Sequence, residues 1–115
     1  MRTPASDIDI LKQARALILR GFATRTSCSR LDGINIAGSF ARTRNGRPCS
    51  PLSPAATRWS LEGAIERAVC QAYRHEDHDC RIAIALDFRL LTGSGHTTQD
   101  HALAAIARAI ATIHP

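Results

Sequence analysis

SPAATRWSLEGAIERAVCQAY, residues 53–73, decides how the rest of the chain is read. Ser53 has the chemistry of an N-cap, and Pro54 fits a first helical position, where its missing N–H costs nothing. At 100° per residue the stretch has two apolar faces. Leu61, Ala64, Ile65, Ala68 and Ala72 lie on one, and Ala56, Trp59, Gly63 and Cys70 on the other, with Tyr73 at its edge. Arg58 and Glu62 fill one strip between them, and Ser60, Arg67 and Gln71 the other. A surface helix needs one apolar stripe. Two stripes predict a central helix over 53–73, packed on both sides. Gly63 costs about 1 kcal/mol against Ala inside a helix, so a close neighbour is expected there. Trp59, Leu61, Gly63 and Ile65 are the expected structural core of this segment.

Working outward, residues 6–20 read as a first helix. Ser6 with Asp9 resembles a capping box. Ile8, Ile10, Leu11, Ala14, Leu17 and Ile18 form its stripe, and Gly21 is its stop. Residues 24–50 lack helical period. Asn45-Gly46 is the strongest hairpin signal, since both positions tolerate positive φ, and it predicts a small β-hairpin near residues 39–50 with Pro48 at an edge. Residues 34–37 read as a further short strand. Residues 81–91 fit either period: Ile82, Ile84, Leu86, Phe88 and Leu90 alternate as a strand would, while Ile82, Leu86 and Leu90 with Ala83 fit a helical stripe, and Ala83, Ala85 and the leucines favour the helix, which is the reading adopted. A last helix opens near Thr97 or Thr98, with Ala102, Leu103, Ile106, Ile110 and Ile113 as its stripe. The expected fold is mainly α (α+β): about four helices around the central one, in a single domain over residues 1–115.

Composition supports this. The 115 residues are 44% apolar, with three Phe, one Trp and one Tyr, so the core must be built from Ile, Leu and Ala. No apolar run reaches the roughly 20 residues of a membrane span. The N-terminus lacks the apolar core of a signal peptide, so a cytoplasmic location is expected, with no membrane partner. Cys28, Cys49, Cys70 and Cys80 form no tight CxxC pair.

Charge is concentrated. Arg25, Arg30, Arg42, Arg44, Arg47 and Arg58 face only Asp32 between positions 21 and 58, and this segment carries the whole net charge of +5. Residues 23–50 are thus a basic region. Arg25, Arg30, Arg42, Arg44 and Arg47 are the candidate binding residues, for a protein partner or for phosphate. Nucleic acid is the alternative partner, although only Phe40 supplies an aromatic nearby.

Other chemistry is weaker. Cys70, His75, His78 and Cys80 are zinc-type ligands within eleven positions, but tetrahedral geometry decides such sites, and a buried cysteine beside solvated histidines is the plainer reading. Cys28 or Cys49 among basic residues could carry a lowered pKa, with His96 or His101 as base, yet nothing in the spacing joins them. Gly93-Ser94-Gly95 before a helix lacks the lysine of a phosphate loop. No catalytic residue, cofactor or resident metal is expected, and the oligomeric state is open.

Arg58-Trp59, Gly63-Ala64-Ile65 and Arg67-Ala68, together with Gly21-Phe22 and Gly46-Arg47-Pro48, give the chain a family likeness. It resembles a small helical domain of actinobacteria and their phages with an Arg-Trp-x-x-x-Gly-Ala motif. The resemblance spans about two thirds of the chain. Residues 24–38 look like an insertion, and the family's Trp-Asn-Asp element before the last helix is absent. The resemblance implies the fold and a phage or mobile-element setting. With the basic region, it leads to the expectation of a non-enzymatic binding module that modulates a host complex.

Overall fold

The computed structural model describes residues 4–23, 41–93 and 98–113. The order of elements is α1 (Pro4–Arg20), β1 (Ala41–Thr43), β2 (Pro48–Cys49), β3 (Ala56–Trp59), α2 (Leu61–Ala72), α3 (His78–Thr92) and α4 (Gln99–Ile113). The fold is mainly helical with a small antiparallel sheet, as the sequence predicts. Residues 81–91 are helical. The strand expected over 34–37 lies outside the described residues.

The central helix is shorter than expected. It does not begin at Ser53: residues 56–59 are a strand, and α2 starts at Leu61. Its N-cap is Ser60, in extended conformation at φ −67° and ψ 168°, whose Oγ accepts from the Gly63 N–H at 3.0 Å. Ser53 instead organises a turn. Its Oγ accepts from the Ala55 N–H at 3.1 Å, and its carbonyl accepts from the Ala56 N–H at 3.1 Å.

The strand order is β2-β1-β3, antiparallel throughout. Ala41 pairs with Trp59 and Arg42 with Arg58, but Thr43 pairs with Ala56, so the register shifts by one residue and leaves Thr57 without an opposite. That bulge turns both Ala56 and Trp59 to the buried face. Beyond β3 the sheet is closed by the chain leaving α1. The Trp59 N–H donates to the Gly21 carbonyl at 3.0 Å, and the Ala23 N–H to the Trp59 carbonyl at 3.1 Å.

The hairpin between β1 and β2 also departs from expectation. The Gly46 N–H donates to the Thr43 carbonyl at 2.9 Å, and Gly46 takes φ +82°, while no described residue other than glycine has positive φ. Asn45 therefore stays out of the left-handed region. The loop holds three residues, a turn closed by a left-handed glycine, rather than the two-residue Asn-Gly form. Pro48 is exposed on the edge strand β2, where no ladder N–H is missed.

Helix α2 packs against α1 on one side and α3 on the other, and α4 closes the bundle against α1. Trp59, Phe88, Leu11, Ile18, Leu61, Ile65, Ile106 and Val69 are the largest fully buried side chains. Gly63 is buried as well. The ends of the helices are tied down by side chains. Asp77 caps α3, accepting from the Cys80 N–H at 2.7 Å. Gln99 at the start of α4 donates to the Ile18 carbonyl at 2.8 Å, satisfying one of the open acceptors at the end of α1.

Candidate functional site

The hairpin arginines divide into two kinds. Arg42 is half-buried, and its Nη1 donates to the Gly46 carbonyl at 2.9 Å, bracing its own turn. Arg58, opposite it, reaches the Thr43 carbonyl at 3.5 Å. Arg44 and Arg47 are exposed at the loop and can meet a partner. Arg25 and Arg30 lie outside the described residues. The basic region thus presents two described free-standing cations at its tip, with Arg42 held in the scaffold.

The zinc-type ligands are not brought together. Cys70 is half-buried on α2, His75 and His78 are exposed in the turn and at the start of α3, and Cys80 sits in the first turn of α3. Among the described residues no three His, Cys, Asp or Glu side chains are placed to hold a metal ion. Partial burial pushes the Cys80 thiol above its usual range, and the carboxylates of Glu76 and Asp77 push it further. Asp77 is employed as a helix cap.

Cys49 does not have the lowered pKa that a basic neighbourhood suggests. Burial raises it, and the charge of Arg67 only partly offsets this. His101 is exposed on α4, while Cys28 and His96 lie outside the described residues.

Two arrangements are absent from the sequence reading. The first centres on Arg67. Its Nη1 donates to the carbonyls of Pro51 and Ser53, both at 3.0 Å, and its guanidinium lies over the Trp59 ring at 5.3 Å. Arg20 lies over the same ring at 5.9 Å, and the indole N–H donates to the Pro51 carbonyl at 3.2 Å. Sequence alone places Arg67 on a solvated strip. The turns at 50–53 and 53–56, which aim those carbonyls at it, become visible only once residues 53–55 are recognised as non-helical. Glu62 and Glu66, one helical turn apart, are also buried, at 6% and 8% exposure, and both have partners.

The second is the outer surface of α3. Leu90 is 85% exposed, and Leu86 and Leu91 are exposed beside it. Leu86, Arg89, Leu90 and Gly93 line an open groove of 370 Å³. The helical reading of residues 81–91 placed Ile82, Leu86 and Leu90 with Ala83 on one apolar stripe, but α3 buries Ala85 and Phe88 and leaves Ala83, Leu86 and Leu90 exposed. No described helix is long and apolar enough to cross a membrane. No family model, no curated protein and no solved structure matches the chain.

Proposed function

We propose that the chain is a non-enzymatic binding module that acts by occupying a protein partner. The observation that carries this reading is the leucine ridge of α3. Leu90 is almost fully solvent-exposed, with Leu86 and Leu91 next to it and Arg89 at the groove. Exposed apolar side chains grouped on one rigid element are an interface signature, whereas isolated ones are ordinary. The likeness to an actinobacterial and phage domain supplies the setting, a host complex modulated by stoichiometric binding. That setting rests on the sequence motif alone.

Nucleic-acid binding is the second reading, favoured by the exposure of Arg44 and Arg47 at the hairpin tip. The two separate by salt and by surface. A protein interface with an apolar centre holds as salt rises, while phosphate contacts weaken steeply. The test is affinity capture from a bacterial lysate, with and without nuclease, using the wild type, Leu90→Ser and an Arg44→Ala/Arg47→Ala variant. The expected result is a protein retained at high salt, insensitive to nuclease and lost with Leu90→Ser. Capture abolished by nuclease and by the arginine variant, but not by Leu90→Ser, would replace the first reading with the second.

A further inference from the structure

A second groove, of 270 Å³, lies between the 50–54 turn and α2, lined by Leu52, Arg67, Cys70, Gln71 and Arg74. Among the described residues that line it, the only charges are two guanidiniums. Arg67 is held rigidly: two carbonyls fix Nη1 and the Trp59 ring lies under the head group. Its Nε is buried and has no hydrogen-bond partner among the described residues. A donor this buried is closed to a ligand in the groove, so what Arg67 offers there is the fixed charge of its guanidinium rather than its Nε–H. Arg74 lies just past the end of α2 and is exposed. Leu52, 41% exposed, adds an apolar side chain to the lining.

From this arrangement we infer that the groove binds a small phosphate monoester, with the phosphate between Arg67 and Arg74 and a short apolar arm against Leu52. Two positive charges, one of them anchored, match a dianion better than a singly charged carboxylate. The volume, at about 30 Å³ per water, accommodates only a small ligand. The site is separate from the α3 ridge and does not depend on the partner reading.

Trp59, the sole tryptophan, reports directly, because Arg67 lies over its ring. Inorganic phosphate and butyl phosphate are titrated at constant ionic strength, with sodium chloride as the control, following Trp59 emission and the NMR signal of the Arg67 Nε–H. Both phosphates should saturate. Butyl phosphate should bind about threefold tighter or more, since its methylenes leave water. Arg74→Gln should weaken both about tenfold without changing the melting temperature. Leu52→Ser should remove only the advantage of the butyl chain. Lowering the pH from 7.5 to 5 should weaken binding, because the ester loses its second charge near pH 6 while the arginines stay charged. Arg67→Gln is the less informative variant, since it also releases the 50–54 turn. A response no different from chloride in both signals overturns the proposal. So does saturable binding that Arg74→Gln leaves unchanged.

Discussion

Gly21 shows how a single residue can be read correctly for an incomplete reason. As a helix stop it is ordinary: its N–H donates to the Leu17 carbonyl at 3.1 Å. Its stronger constraint is the strand beside it. A Cβ at this position would lie 2.5 Å from the Thr57 carbonyl oxygen and 2.6 Å from the Arg58 Cγ. The first is backbone and cannot swing away. Gly21→Ala should therefore destabilise by more than an ordinary surface change, about 2 kcal/mol or above, seen as a lowered denaturant midpoint with unchanged m. Ala at a plain helix stop would cost far less. Trp59 is the other residue-scale test. It is 1% exposed, beneath two guanidiniums, with its N–H bonded to Pro51. Trp59→Ala should cost about 3–5 kcal/mol, measured by chemical denaturation. A near-neutral result would mean that the ring is not core.

The segment 53–73 explains why one element was misread while its neighbours were not. Ala56 and Trp59 are three apart and both face the core, a spacing that belongs to a helix. They are on a strand. The unpaired Thr57 adds one residue to β3, turning the strand's period of two into an apparent three. Ser53-Pro54 then supplied a false start signal, because a serine that closes a turn and a serine that caps a helix present the same hydroxyl to nearby N–H groups. The bundle itself was legible because the stripes of α1, α2 and α4 have helical period and no bulge. Even the two-sided packing of the central helix survives from Leu61 onward. Arg67 and the buried Glu62 were not legible, since what makes them structural is the turn and the packing around them. The boundary can be tested by capping. Ser60→Ala should cost about 1 kcal/mol, because it removes the acceptor for the Gly63 N–H, and helicity should fray from Leu61. Ser53→Ala should cost less and leave the far-ultraviolet helical signal unchanged. The opposite order would restore the longer helix.

Across the whole molecule, the basic hairpin and the main group of exposed leucines are separate. The described arginines of the hairpin lie on the sheet, and the leucine ridge lies on α3. The basic segment looked uniform in sequence, but the fold assigns its members different tasks. Arg42 is tied to the Gly46 carbonyl, which shapes the one described loop residue with positive φ before the chain enters β2. Arg44 and Arg47 are exposed. Arg42→Ala should therefore destabilise by about 1 kcal/mol, the scale of a hydrogen bond to a charged donor partly open to solvent. Arg44→Ala and Arg47→Ala should each stay within about 0.5 kcal/mol. Binding should show the reverse order. If the tip sits at the rim of a protein interface, the Arg44→Ala/Arg47→Ala variant should slow association at low salt and leave dissociation nearly unchanged. If the tip contacts phosphates, the salt slope of the affinity should become shallower by about one for each arginine lost. Stopped-flow association against salt, run beside denaturant melts of the three single variants, separates these outcomes. Equal stability losses at all three positions would show that the hairpin arginines act together as scaffold, and would leave the α3 ridge to carry recognition alone.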